Sequence, residues 1–88
     1  MNALKIKIMP ESLESNLDNI KEQAEKKIIS LGGKLDKAET EDIAFGLKAL
    51  ILTIAWPEKK DTDEAENILS EISGIGSVQI IDYRRAFG

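Results

Sequence analysis

Leu47-Lys48-Ala49-Leu50-Ile51-Leu52-Thr53-Ile54-Ala55-Trp56 is the most apolar stretch of the chain. A near-continuous apolar run of this kind, dominated by Ile, Leu and Ala, suits a central strand covered on both sides. Pro57-Glu58-Lys59-Lys60 closes it as a loop. On its N-terminal side, Ile43-Ala44-Phe45-Gly46 supplies a turn. Beyond that turn lies Lys34-Leu35-Asp36-Lys37-Ala38-Glu39-Thr40, a weaker strand whose charges suit a sheet edge. The centre of the chain is therefore a hairpin with one buried arm and one edge arm.

Each arm is flanked by a helix and a further strand. Leu13, Leu17, Ile20, Ala24, Ile28 and Leu31 recur at three- and four-residue spacing, one stripe of an amphipathic helix of about five turns. Ser12 or Ser15 is placed to cap it, and Gly32-Gly33 to stop it. Before it, Leu4, Ile6 and Ile8 alternate with Lys5 and Lys7, a first strand broken by Met9-Pro10-Glu11-Ser12. Downstream, Asp61 and Glu64 have capping-box spacing. Ala65, Ile68, Leu69 and Ile72 then form a second, shorter helix ended by Gly74. Ser77 to Tyr83 is the last strand. The order β-α-β-β-α-β predicts a ferredoxin-like α+β sandwich. It is a four-stranded antiparallel sheet in the order 4-1-3-2, with two helices on one face and right-handed crossovers. Residues 1–88 read as one domain.

Composition narrows the chemistry. The 88 residues include no Cys and no His. Thiol chemistry, disulfides and imidazole acid-base catalysis are therefore excluded, and no metal or other cofactor is expected. A net charge of −4 disfavours nonspecific binding to nucleic acid or to an anionic membrane. No apolar run is long enough to span a bilayer and no leader pattern opens the chain, so a cytoplasmic location is expected. Function must then reside in surfaces and ends.

Topology distributes those ends. The turn at Met9-Pro10-Glu11 and the hairpin at Ala44-Phe45-Gly46 share one end of the sheet. The Gly32-Gly33 turn, the Trp56–Lys60 loop and the tail Asp82-Tyr83-Arg84-Arg85-Ala86-Phe87-Gly88 share the other, roughly 20–25 Å away. Lys34, Lys59, Lys60, Arg84 and Arg85 gather at that second end, either as ordinary solvated charges or as a basic surface facing phosphate. Phe45 either closes the end of its own core or anchors a partner. Trp56 is a core edge or a cover for the loop. Strand alternation puts Arg84 on the face of Asp82 and Arg85 on the face of Tyr83.

Three segments carry a family likeness: Met9-Pro10-Glu11-Ser12, Ile43-Ala44-Phe45-Gly46-Leu47-Lys48-Ala49-Leu50, and Val78-Gln79-Ile80-Ile81-Asp82-Tyr83-Arg84-Arg85. With them the chain resembles archaeal elongation factor 1-beta along its whole length, the Phe45-to-Leu50 segment being the most specific part. The resemblance implies a guanine-nucleotide exchange factor that is not itself an enzyme. Its implied partner is the GTPase elongation factor 1-alpha. It further implies that one end of the domain grips a second domain of the GTPase, through Phe45 with Gly46, Lys48 and Pro10. The other end disturbs the Mg²⁺ and phosphate site. Eukaryotic relatives, in which this unit is a C-terminal domain, place a Lys there. The matching position here is Gly88 or close to it, and no Lys follows Lys60. Arg84 and Arg85 are the nearby cations, and the role falls to Arg85, nearer the free end, or to the tail backbone, with the Gly32-Gly33 and Trp56–Lys60 loops as the alternative if the tail is only a solvated end.

Other functions share the fold. A small-molecule regulatory domain of the ACT type would need Gly-rich ligand loops and a paired sheet edge, which the charged second strand opposes. An RNA-recognition module needs aromatics on the central strands, and the first strand offers only Lys5 and Lys7. A metal chaperone needs thiols or imidazoles. An acylphosphatase-like site needs an Arg in the first loop, and Met9 to Ser12 has none.

Overall fold

The computed structural model describes residues 2–85. Its elements are β1 (Asn2–Pro10), α1 (Leu17–Ser30), β2 (Lys34–Asp42), β3 (Lys48–Trp56), α2 (Thr62–Ser70) and β4 (Ile75–Arg85). The strands form one sheet ordered β2-β3-β1-β4, the expected order read from the other edge. Each neighbouring pair is antiparallel. Gly88, the position matched to the family's C-terminal Lys, lies outside the described residues.

Alternation builds the core. Leu4, Ile6 and Ile8 of β1 lie opposite Ile54, Leu52 and Leu50 of β3. All six are buried together with Ile20, Ala24 and Ile28 of α1 and Ala65 and Leu69 of α2. One sheet face thus receives both helices. Trp56 closes this core at the far end, 1% exposed, and its indole N–H donates to the Asp61 carbonyl at 3.1 Å. It is both core edge and loop cover, and a buried indole needs such an acceptor.

Among the described residues no helix lies on the other sheet face, so β3 is not covered by an element on both sides as its composition suggests. Ala49 and Ile51 nevertheless point there and are buried, Ile51 with 6% exposure. On that face Lys7 of β1 lies opposite Ile51 and Glu41 of β2 opposite Ala49, and their 4.0 Å ion pair reaches across β3. Such a pair adds little Coulomb energy, but its aliphatic stems shield the strand beneath.

The first helix is shorter than its periodicity suggests. Asn16, not Ser12 or Ser15, is the cap, its side-chain oxygen accepting from Asn19 N–H at 3.1 Å. Ser15 Oγ is otherwise engaged, donating to the Gly74 carbonyl at 2.9 Å. Leu13 therefore falls outside the helix and is 67% exposed. At the other end, Gly33 N–H bonds the Ile28 carbonyl and Gly32 N–H the Ile29 carbonyl. With Gly32 at φ +91, this is a Schellman stop. The expected capping box of α2 does not form: Asp61 occupies the N-cap without a side-chain bond, and only its carbonyl accepts Glu64 N–H.

Candidate partner-binding surfaces

The hairpin end is built on a turn that its own backbone resists. Leu47 N–H bonds the Ala44 carbonyl at 2.9 Å, and Ile43 N–H bonds the Leu47 carbonyl at 2.9 Å. Between them, Phe45 has φ +54 and Gly46 φ +81. Two central residues with positive φ are the signature of a type I′ turn, which favours Asn-Gly. Glycine meets that demand without cost, whereas a bulky aromatic in the left-handed region costs on the order of 1–2 kcal/mol. The strained position holds the ring away from the core, and Phe45 is 95% exposed. Of the two roles open to Phe45 in the sequence, closing its own core is thereby excluded.

The neighbouring loop supplies a second apolar group. Leu13 Cδ2 stands 3.5 Å from where a Cβ on Gly46 would lie. Ile43, on the same hairpin, is also exposed. Pro10, Gly46 and Lys48 line one notch together with Leu13, Leu17, Leu47, Ser12 and Ser15. Lys48 Nζ lies 4.0 Å from Asp42 Oδ1 at the foot of the hairpin. Four of the residues singled out from the sequence, Pro10, Phe45, Gly46 and Lys48, therefore share this end. Leu13 fits the helix stripe by spacing, which conceals it as a surface residue. The available signal is Asn16 followed by Asp18, which starts the helix after Leu13.

The opposite end lies a strand length away, about 26 Å for the nine residues of β3 at the usual rise. Here β4 runs to Arg85 and pairs with β1, so both arginines are strand residues. A register shift between Lys5 and Ile6 leaves Ile81 as the extra residue of a bulge. Beyond it, Arg84 lies opposite Ala3 and Asp82 opposite Lys5, on the helix-free face. Tyr83 lies opposite Leu4 and Arg85 opposite Asn2, on the helix-covered face.

The two arginines thus have different surroundings. Arg84 Nε donates to Asp82 Oδ2 at 3.2 Å. Arg85 has no carboxylate partner among the described residues, and with Asn2, Glu58 and Tyr83 it lines a cleft of about 380 Å³. A second cavity of about 600 Å³ adjoins it, bounded by Lys60, Asp61, Thr62 and Glu66. Asn2 lines both, 7% exposed, and its Oδ1 has no hydrogen-bond partner among the described residues. The cations expected at this end are present, but carboxylates are interleaved with them.

No group of three or more His, Cys, Asp or Glu residues is placed to hold a metal among the described residues. No helix among them is long and apolar enough to cross a membrane. The molecule has a ferredoxin-like fold, with an exposed aromatic ring on a turn at one end of the sheet and an arginine-lined cleft at the other. The chain belongs to the EF-1 guanine nucleotide exchange domain family, whose model matches residues 3–85. It is 43% identical to the elongation factor 1-beta of Sulfurisphaera tokodaii over 82 residues, covering 91% of this chain and 89% of that one. It is 45% identical to the elongation factor 1-beta of Methanosarcina barkeri over 85 residues, covering 94% of each. The family's role is guanine-nucleotide exchange in translation elongation. In fold it is similar to the solution structure of the C-terminal domain of the MgtC protein from Mycobacterium tuberculosis, with a TM-score of 0.70. That likeness covers 98% of this chain and 88% of that one at 10% identity, and speaks for the fold alone.

Proposed function

We propose that residues 1–88 act as one exchange domain in the cytoplasm, releasing GDP from elongation factor 1-alpha so that GTP can replace it. The hairpin end, led by Phe45, grips the GTPase. The end carrying Arg85 reaches its Mg²⁺ and phosphate site. A GTPase holds its nucleotide through the phosphate loop and Mg²⁺. A guanidinium can pair with a carboxylate or a phosphate oxygen that the metal would otherwise hold. The contacts that secure GDP then weaken. Coupling of this kind is reciprocal, so a rebinding nucleotide also expels the exchange factor.

The observation that carries this reading is the exposed aromatic ring on a strained turn. It is set a strand length from an arginine that has no carboxylate partner among the described residues. Aromatic side chains, Phe among them, are enriched at protein–protein interfaces relative to the rest of the surface. The test is release of labelled GDP from elongation factor 1-alpha in the presence of excess unlabelled nucleotide. Substoichiometric amounts of this protein should accelerate release catalytically. Unchanged release at saturating concentration would refute the reading.

A further inference from the structure

Beside Phe45 lies a hollow that the knob alone does not explain. The notch bounded by Pro10, Leu13, Leu17 and Leu47 has a volume of about 170 Å³. An engineered apolar cavity of roughly 150 Å³ holds one benzene ring, so the space suits a single aromatic or branched aliphatic side chain. Its apolar walls carry a polar rim, Ser12, Ser15 and Lys48. Apolar walls inside a polar rim are the arrangement in which buried anchors act at interfaces.

The wall is also held in place. Glu11 N–H bonds the Gly74 carbonyl at 2.8 Å, and Ser15 Oγ donates to the same oxygen at 2.9 Å. Ser15 N–H bonds the Ser12 carbonyl, and Glu14 N–H bonds Ser12 Oγ. The loop carrying Leu13 is therefore tied to the start of β4. A leucine on such a loop is exposed without being free to collapse, and little order remains to be imposed when it binds.

We infer that the hairpin end is a knob beside a hole: Phe45 enters the GTPase, and the Leu13 notch receives one apolar side chain from it. This rests on the proposed exchange function and adds Leu13, Leu17 and Leu47 to the contact. The occupant is a group on elongation factor 1-alpha because the notch adjoins Phe45 through Gly46 and would be covered by whatever covers that ring.

The test measures affinity for elongation factor 1-alpha with the full chain and its variants Phe45→Ala, Leu13→Ala and Leu13→Asp. Leu13 lies outside the core, so its variants should keep the parent unfolding midpoint. Leu13→Ala should weaken binding by roughly 5- to 30-fold, the equivalent of losing most of one buried leucine, and Leu13→Asp by more. In the complex, the methyl groups of Leu13, Leu17 and Leu47 should show proton contacts to aliphatic or aromatic groups of the GTPase. If Phe45→Ala weakens binding while both Leu13 variants stay within twofold of the parent, the notch is unused and only the knob stands. Methyl contacts limited to charged groups would also overturn the inference. Normal binding by Phe45→Ala and both Leu13 variants would instead remove the grip itself.

Discussion

Phe45 combines a local backbone cost with an exposed ring. Its φ of +54 is unfavourable for an aromatic residue, and its ring is 95% exposed, so it returns almost no packing energy to the fold. Asparagine tolerates the left-handed region far better and precedes glycine in the preferred type I′ turn. Phe45→Asn should therefore stabilise the free protein by about 1 kcal/mol, read as a higher urea midpoint with an unchanged slope. The same substitution should weaken the complex with elongation factor 1-alpha by about 1–3 kcal/mol. A loss of stability on this substitution would mean that the ring does contribute to the core. The motif containing Phe45 was legible in the sequence. The exposure of its ring follows from its place in a turn taken together with the family resemblance, since by itself an aromatic beside glycine suits a core plug as well as an anchor.

At the scale of elements, turns and bulges decide what the strands present. The two adjacent glycines after α1 act by different physics. A Cβ on Gly32 would meet only Pro57 Cγ at 3.5 Å, so Gly32→Ala carries the backbone cost of positive φ alone, about 1–2 kcal/mol. A Cβ on Gly33 would lie 2.8 Å from the Ala55 carbonyl oxygen, a backbone atom that cannot step aside. Gly33→Ala should be the more destabilising of the two in thermal unfolding, and the reverse order would contradict the packing described. The bulge at Ile81 decides which faces the two arginines occupy. Without it, strict alternation would place Asp82 and Arg84 on the face of Val78 and Ile80. With it, Arg84 joins Asp82 on the open face and Arg85 turns to the cleft beside Asn2. Exchange should accordingly survive Arg84→Ala nearly intact and fall with Arg85→Ala. Equal losses from both would show that the faces are not distinguished. Truncation after Asp82 is a poorer test, because it removes strand residues paired with β1.

The hydrophobic pattern made the element order and sheet order legible, since Leu4–Ile8 alternates, Leu47–Trp56 is one near-continuous apolar run and the helical stripes recur at three- and four-residue spacing. The bulges at Asp36 and Ile81 were hidden, because one extra residue leaves composition unchanged while moving every later side chain of the strand to the opposite face. The start of α1 was misplaced because Leu13 lies on the helical spacing but outside the cap at Asn16. The capping-box spacing of Asp61 and Glu64 likewise did not produce the bond.

Over the whole molecule, the proposed function divides the labour between two ends about 26 Å apart. In that proposal, the sheet between them lets one end secure the GTPase while the other is presented to the nucleotide site. An end that only grips contributes to complex formation, and an end that only disturbs contributes to the step after it. The decisive measurement is the rate of labelled GDP release from elongation factor 1-alpha as a function of exchange-factor concentration, for the parent, Phe45→Ala and Arg85→Ala. Phe45→Ala should raise the concentration for half-maximal release and leave the maximal rate close to that of the parent. Arg85→Ala should lower the maximal rate and leave the half-maximal concentration nearly unchanged. If both variants change the same parameter to the same degree, or neither changes either one, the division between a gripping and a disturbing end is wrong.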